Sequence, residues 1–377
     1  MPLIVSISSL KGGVGKTSVT LGLASAALAA GKHVLVIDMD PHGDASTGLF
    51  IGEGGTEIGT MLKSPKKFNL SAEVVPSGWN ALAEATVIEN QLQTEAQEFS
   101  EDDEFEDDAE FDDESEYDRE DLEDGEHLEA DDYLEDREEL FEDDADDATA
   151  EDGYDELDEG YEYVTDQAPE AEYEDEFDNE SDEIAEDNTA PSDWSASVGS
   201  IDVVRGSAAS NTLENLTFKR ALPRLRQLLD DEVEDYDLVL IDCPPTLGNL
   251  TSMAWASSDR VISIAEPSLF SVAGTERTLR AIARFEENNK YSVESASVVV
   301  NMAKLENPEH VYRIEEMKTL FGDLVAEPVL PAFNEFQRIQ GSAYPVHFWP
   351  AESSNDFAQK LSALLDGLLD RKIPWTS

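Results

Sequence analysis

The stretch from Leu3 to Ala30, LIVSISSLKGGVGKTSVTLGLASAALAA, decides the fold of this 377-residue chain. A short apolar run between Leu3 and Ile7 predicts a buried strand. A glycine-rich turn follows, and after it comes an alanine- and leucine-rich segment with high helix propensity. A strand, a glycine-rich turn and a helix in this order form the context that a phosphate-binding loop requires.

The turn has the residues that bind the phosphates of a nucleotide. Its glycines let successive backbone N–H groups turn toward an anion, and the helix N-terminus adds the positive end of its dipole. The Lys16 side chain can reach the β- and γ-phosphates, and the Thr17 hydroxyl can ligate Mg²⁺. The predicted nucleotide-binding residues are therefore Gly12, Gly13, Val14, Gly15, Lys16, Thr17 and Ser18.

The loop departs from the common phosphate-loop pattern at its beginning. Leu10 stands where that pattern has glycine, and a second lysine, Lys11, opens the loop. In both respects the loop resembles the deviant Walker A motif of the ParA/MinD family of ATPases. The resemblance implies ATP and Mg²⁺ as cofactors and catalytic roles for Lys16 and Lys11, with Lys11 reaching across a homodimer to the partner's nucleotide.

A second motif follows the strand predicted over His33–Asp38, where the chain continues as DMDPHGD. Carboxylates at the carboxyl end of a parallel strand lie where open α/β sheets bind ligands. The motif resembles the family's D-x-D-P-Q-G-N, with His42 and Asp44 in place of glutamine and asparagine. The resemblance implies that Asp40 positions the attacking water and that Asp38 supports the Mg²⁺ shell.

A third motif is the apolar strand within Tyr236–Pro245, which ends in Asp242. Downstream of a phosphate loop this is a Walker B pattern, and Asp242 is expected to hold Mg²⁺ through a water. The residues that follow, up to Gly248, resemble the family's switch segment, which senses the γ-phosphate. No histidine lies near Cys243 in sequence, so we expect this cysteine to be a small buried residue and not a nucleophile.

The remaining pattern alternates strands and helices, which predicts an α/β fold with a doubly wound, mostly parallel sheet. By resemblance this is a P-loop NTPase of the SIMIBI type, and Asn301 and Pro331 frame the adenine. Further strands are predicted at Ala72–Pro76, Ser200–Ser207, Val261–Pro267, Ser297–Asn301 and Leu324–Pro331. Further helices are predicted at Thr212–Leu229 (interrupted by Pro223), Leu269–Glu287 and Asn355–Leu369.

Charge divides the chain into unlike parts. The net charge is −61, and residues 95–187 hold 51 acidic against two basic residues, a net −49 (51 − 2). Such a segment cannot bury enough apolar surface to fold, so residues 93–194 are predicted to be a disordered insertion. It interrupts one ATPase domain made of 1–92 and 195–377. Its interleaved aromatic residues leave two interpretations open, a solvated spacer or an interaction segment that binds a basic partner or mimics DNA.

Cysteine content and hydropathy predict the compartment. A single cysteine excludes an intrachain disulfide and favours a reducing environment. No basic region precedes the first apolar run, and no apolar stretch approaches the roughly 20 residues of a membrane span. We therefore expect a cytoplasmic protein, associated with the nucleoid if it binds DNA, and no membrane partner.

By resemblance, the function is ATP-dependent dimerisation and hydrolysis that partition a chromosome or plasmid or position another cargo. The expected partners are an activating adaptor of the ParB type and, less specifically, DNA. Arg277, Arg280 and Arg284 lie at helical spacing and can contact phosphates, but they also fit a solvated helix face paired with neighbouring glutamates. Further basic residues are Arg338, Arg371 and Lys372.

The same scaffold supports other functions, and the sequence bears on three of them. A nucleotide-gated scaffold that acts through its acidic insertion without binding DNA is the main alternative. A MinD-like membrane ATPase needs a basic amphipathic C-terminal helix, whereas the tail after Leu364 carries aspartates and Pro374. An iron–sulfur-bridged reductase needs two cysteine ligands per protomer, and one is present.

Overall fold

The fold is built around one sheet of seven strands. The computed structural model describes residues 1–102, 198–230, 232–291, 293 and 295–370. The strand order is β3-β4-β2-β5-β1-β6-β7, and every neighbouring pair is parallel except β3–β4. The strands are β1 (Leu3–Ser8), β2 (His33–Asp38), β3 (Val75–Pro76), β4 (Ser200–Val204), β5 (Leu238–Asp242), β6 (Arg260–Ala265) and β7 (Ser295–Val300).

Helices connect the strands and pack on both faces of the sheet. In the described ranges they are α1 (Lys16–Ala29), α2 (Asp44–Gly48), α3 (Ile58–Met61), α4 (Trp79–Asp102), α5 (Phe218–Ala221), α6 (Arg224–Leu229), α7 (Asn249–Ser257), α8 (Leu269–Asn288), α9 (Pro308–Phe321), α10 (Phe336–Gly341) and α11 (Asn355–Leu369). None of these helices is both long enough and apolar enough to span a membrane.

Alternate residues of the central strands enter different cores. Val34 and Val36 of β2 belong to a cluster with α1 and α11, whereas Leu35 and Ile37 belong to a cluster with α6 and α7. Because successive side chains of a strand point to opposite faces, strands buried on both faces need continuous apolar runs. The predicted doubly wound, mostly parallel sheet is confirmed.

The predicted strand over Leu324–Pro331 is wrong. This segment makes only isolated bridges, Val298 with Val325 and Ala303 with Pro331. Pro328 and Pro331 have no N–H to donate to a ladder, so regular pairing does not extend along the segment. The strand predicted at Ala72–Pro76 is likewise reduced to the two residues of β3.

The helix predicted over Thr212–Leu229 is broken into shorter pieces. A 3₁₀ segment covers 208–215, and α5 and α6 lie on either side of Pro223. Pro223 directly precedes the first residue of α6, where its missing N–H costs no helical hydrogen bond. The helix predicted at Asn355–Leu369 has those bounds in the structure. The predicted insertion, 93–194, lies outside the described residues beyond Asp102.

Candidate nucleotide-binding site

The loop between β1 and α1 has the backbone shape that its glycines predict. Gly13 and Gly15 adopt left-handed conformations, with φ of 78° and 83°. A Cβ on Gly15 would lie 2.4 Å from Nδ2 of Asn301, so only glycine fits this position. The Asn301 amide donates a hydrogen bond to the Val14 carbonyl over 3.0 Å. Asn301 therefore braces the loop from the end of β7.

Asp242 lies beside the start of α1 at the end of β5. Its Oδ2 accepts a hydrogen bond from the Thr17 hydroxyl over 2.8 Å, and its Oδ1 accepts one from the Thr20 hydroxyl over 2.9 Å. Burial, reinforced by the nearby Asp38 charge, raises the pKa of Asp242 to about 7. A cation beside Thr17 would offset this unfavourable burial of negative charge.

Asp38 is the residue opposite Asp242 in the β2–β5 register. Its Oδ2 accepts hydrogen bonds from the backbone N–H and hydroxyl of Ser46 over 2.8 and 2.7 Å, and its Oδ1 accepts one from the Asp40 N–H over 3.1 Å. Burial raises the pKa of Asp38 to about 6 despite these hydrogen bonds. A Cβ on Gly206 would lie 2.6 Å from this carboxyl group. Asp38 thus anchors the loop that carries Asp40.

Asp40 is held by the side chain and the backbone of one residue. Its Oδ1 accepts hydrogen bonds from the His42 N–H over 3.0 Å and from His42 Nδ1 over 2.8 Å. The hydrogen bond to Asp40 and the charge of that carboxylate raise the pKa of His42. The hydrogen bonds described for Asp40 link it to its own loop and not to the phosphate loop.

Lys11 lies against the end of β6 in its own subunit. Its ammonium donates hydrogen bonds to the carboxylate of Glu266 and, over 3.3 Å, to the hydroxyl of Ser268. Burial favours the neutral form of Glu266, but the hydrogen bonds from Lys11 and Ser268 outweigh it and hold the pKa of Glu266 below its ordinary value. The sequence motifs did not single out either partner of Lys11.

A cavity of about 510 Å³ opens beside Ser18 at the start of α1. Asn301 and Pro331 line it, as does Gln340 of α10, whose amide donates to the Ser18 hydroxyl over 3.2 Å. The volume falls in the range of small-molecule sites. The two residues expected to frame a base therefore lie together next to the loop. Sequence reasoning missed α10, because nothing in its local pattern links it to a site 320 residues earlier.

The donor set suits a metal–phosphate complex better than a bare ion. No group of three or more His, Cys, Asp or Glu side chains gathers as a metal cage within the described ranges. Mg²⁺ commonly takes one or two protein ligands and completes its octahedron with phosphate oxygens and water. The Thr17 hydroxyl next to the Asp242 carboxylate fits that requirement.

Two other expectations concern residues outside the loop. Cys243 is buried and burial raises the pKa of its thiol to about 12, which fits the expected packing role. Arg277, Arg280 and Arg284 line a groove of about 770 Å³ with Lys219. Arg280 pairs with Glu276, as the solvated-face interpretation expects, so the arginines alone do not decide between the two interpretations.

The sequence profile of the CobQ/CobB/MinD/ParA nucleotide-binding domain matches residues 5–346. This chain is a member of that family. Among curated proteins, it is 29% identical over 108 residues to the sporulation initiation inhibitor protein Soj of Bacillus subtilis, covering 29% of this chain and 43% of Soj. It is 51% identical over 49 residues to the chromosome partitioning protein ParA of Caulobacter vibrioides, covering 13% of this chain and 18% of that protein. The chain thus spans less than half the length of either relative.

Solved structures of this ParA/MinD-type fold align over nearly the whole chain. An ATP complex of a McdA variant from Cyanothece has a TM-score of 0.59 at 13% identity, covering 98% of this chain and 96% of that one. Cobyrinic acid a,c-diamide synthase from Mycobacterium smegmatis, with bound ADP and magnesium, has a TM-score of 0.55 at 14% identity, covering 100% of both chains. At such identities the likeness shows the fold alone.

Proposed function

We propose that this ParA/MinD-family member is an ATPase that dimerises when it binds ATP and separates when it hydrolyses it. The observation that carries the proposal is the loop itself, where Lys16 starts α1, Thr17 lies against Asp242 and a second lysine, Lys11, precedes both. ATP and Mg²⁺ are the proposed ligands, supported by the nucleotides bound to the related McdA and synthase structures.

Each group has a part in phosphoryl transfer to water. The loop N–H groups and Lys16 neutralise charge on the β- and γ-phosphoryl oxygens. Thr17 and Asp242 would hold Mg²⁺, which would supply further charge compensation when bound. Asp40 orients the water that attacks the γ-phosphorus. The Asn301 and Pro331 walls of the cavity hold the adenine.

Lys11 makes the dimer the active form. In a single subunit its ammonium is occupied by Glu266 and Ser268. In the proposed dimer it leaves them for the γ-phosphate of the partner's ATP, which is a more highly charged acceptor. A cation supplied in trans is worth roughly 10³–10⁵ in rate in the well-studied case of arginine fingers. Dimerisation and turnover are therefore coupled through one side chain.

The proposed cellular role is partitioning of a chromosome or plasmid, or positioning of another cargo. Its support is the similarity to Soj and to ParA, which are named for sporulation control and chromosome partitioning. An activating adaptor of the ParB type and non-specific DNA are the proposed partners, and the nucleoid in the cytoplasm is the proposed place of action.

The test separates binding, dimerisation and chemistry in full-length protein. Wild type is expected to bind ATP–Mg²⁺, to double its mass in light scattering with ATP and to release phosphate. Lys16→Ala should lose nucleotide binding, Lys11→Ala should bind but stay monomeric, and Asp40→Ala should dimerise without releasing phosphate. ATP-dependent dimerisation by Lys11→Ala equal to that of wild type would refute the mechanism. Wild-type dimerisation without phosphate release would favour a nucleotide-gated scaffold.

A further inference from the structure

The loop after β2 carries a residue that the family's motif does not have. The motif that this loop resembles has glutamine at the position of His42, and this chain places an imidazole there. His42 lies four residues from Asp38, and its side chain is 78% exposed. Burial therefore does not explain the ring's orientation, whereas its hydrogen bond to Asp40 does.

The hydrogen bonds from His42 hold Oδ1 of the Asp40 carboxylate and leave Oδ2 open. Oδ1 accepts both the His42 N–H and His42 Nδ1–H. In the described part of the chain, no donor lies within hydrogen-bonding distance of Oδ2, although the Asp40 side chain is only 10% exposed. Two donors converging on one oxygen hold the carboxylate plane in a single orientation, with Oδ2 available to accept a proton from water.

We propose that His42 is a positioning residue that holds the Asp40 carboxylate in the orientation needed to align the attacking water. The inference rests on the proposed function, because it assigns His42 to the same hydrolysis step. A glutamine at this position can donate one hydrogen bond to the carboxylate but carries no charge. An imidazolium donates a charge-assisted hydrogen bond, which is about twice as strong.

Because His42 is titratable, the strength of its hydrogen bond to Asp40 also depends on pH. The charged groups that face His42 are the carboxylate of Asp40 on its own loop and that of Asp44, the first residue of α2. Both favour the imidazolium, and the exposed ring exchanges protons with solvent. When the imidazolium is deprotonated, the solvent-facing Nε2 loses its proton and the carboxylate keeps the other proton on Nδ1. The hydrogen bond to Oδ1 then persists, but it is no longer charge-assisted and is weaker. We therefore expect kcat to fall as pH rises through the pKa of His42.

The experiment compares three variants across pH 6–9 in steady-state phosphate release. For wild type, kcat is expected to fall about two- to fivefold toward alkaline pH, because the hydrogen bond to Asp40 loses its charge assistance. His42→Ala should have the lower kcat at every pH, with the KM for ATP unchanged. His42→Gln should keep more of the activity than His42→Ala and should lack the alkaline fall. His33→Gln, which replaces an exposed histidine at the opposite end of β2, is the matched control and should follow wild type.

Two results would overturn the inference. One is a kcat of His42→Ala equal to that of wild type, and the other is an alkaline fall that persists unchanged in His42→Gln. In either case Asp40→Ala is measured alongside. If wild type hydrolyses ATP and Asp40→Ala does not, only the role of His42 has failed. If wild type itself releases no phosphate, the proposed function has failed.

Discussion

At the residue scale, the ion pair between Lys11 and Glu266 is weak. Its side chain is 34% exposed and that of Glu266 is 28% exposed, so water competes for both charges. Ion pairs of such exposure contribute about 0–1 kcal/mol. In the proposed mechanism, an ion pair this weak restrains Lys11 without preventing its transfer to the partner's nucleotide, and Glu266 sets how readily Lys11 becomes available.

We expect Glu266→Gln to shift ATP-dependent dimerisation to lower concentrations. Replacing the carboxylate by a neutral amide removes the charge that holds the Lys11 ammonium, which lowers the cost of moving the ammonium to a second subunit. The ATP concentration at half-maximal dimerisation should fall about two- to fivefold, which corresponds to the energy of an exposed pair. Light scattering during an ATP titration measures it.

The matched control is Glu276→Gln, which breaks the exposed pair with Arg280 on α8. It should leave the ATP dependence of dimerisation unchanged. An unaltered midpoint for Glu266→Gln would show that the pair with Lys11 does not restrain dimerisation.

At the scale of elements, α1 depends on α11 for its position. The two helices pack in one core, and Leu361 of α11 lies so close to Gly22 of α1 that a Cβ there would be 2.8 Å from its nearest methyl group. His347 joins them through polar contacts, with Nδ1 2.9 Å from the Ser25 hydroxyl and Nε2 3.0 Å from the Ala358 carbonyl. The start of α1, which carries Lys16 and Thr17, is thus fixed from its far side.

His347 makes the stability of this packing depend on pH. Burial lowers the pKa of His347 to about 4, whereas in the unfolded chain it is about 6.5. Below pH 6.5 the unfolded chain takes up a proton that the folded chain does not, so the free energy of unfolding falls as the pH is lowered from about 6.5 to about 4. We expect this group to account for about 1–3 kcal/mol of that loss.

Urea unfolding of wild type and of His347→Gln at pH 7, 5.5 and 4.5 measures this contribution. Since many carboxylates also titrate in this range, the quantity to compare is the difference in unfolding free energy between the two proteins. That difference should shrink toward low pH. A difference that stays constant across the three values would exclude His347 as the cause.

At the scale of the whole molecule, most of the charge lies apart from the candidate site. Residues 95–187 account for −49 of the net −61, which leaves −12 for the rest. Among the described residues, the hydrogen bonds that join α4 to other elements come from its first turn, where Trp79 donates to the Ala343 carbonyl and Asn80 pairs twice with the Ile201 backbone. These contacts do not involve the polyanionic stretch.

We expect a protein lacking residues 93–194 to fold and to bind nucleotide. The linker must lead from position 92 back to β4, which Asn80 contacts through Ile201. Twelve residues of helix separate Asn80 from position 92, a rise of about 18 Å. A Gly/Ser linker of about 12 residues spans a similar distance and can replace the deleted stretch. The melting temperature of the deletion protein should rise with ATP–Mg²⁺ as that of wild type does, because a ligand that binds only the folded state stabilises it.

Lys16→Ala in the same deletion background is the control, and its melting temperature should not respond to ATP. Failure of the deletion protein to unfold cooperatively, while wild type does, would show that residues 93–194 take part in the fold of the ATPase domain.

Local sequence patterns predicted the elements of the sheet well and their irregular neighbours poorly. Continuous apolar runs identified β1, β2, β5 and β6, because strands buried on both faces need no alternation. The same logic failed at Leu324–Pro331, where an apolar run is interrupted by prolines that cannot donate to a ladder. At Thr212–Leu229, helical spacing predicted a helix that Pro223 would kink or restart, and the structure has short helices on either side of Pro223. The 3₁₀ segment before them was not predicted.

The sequence by itself determined the phosphate loop, the order of its motifs and the parallel sheet, because each depends on residues adjacent along the chain. Tertiary structure alone decided several of the side-chain contacts made around that loop. The pairing of Lys11 with Glu266, of Thr20 with Asp242 and of Gln340 with Ser18 joins positions more than 200 residues apart. The first two contacts arise because parallel strands bring their carboxyl ends to one edge of the sheet, and the third because α10 packs beside the start of α1. No local pattern records which of these segments will be neighbours.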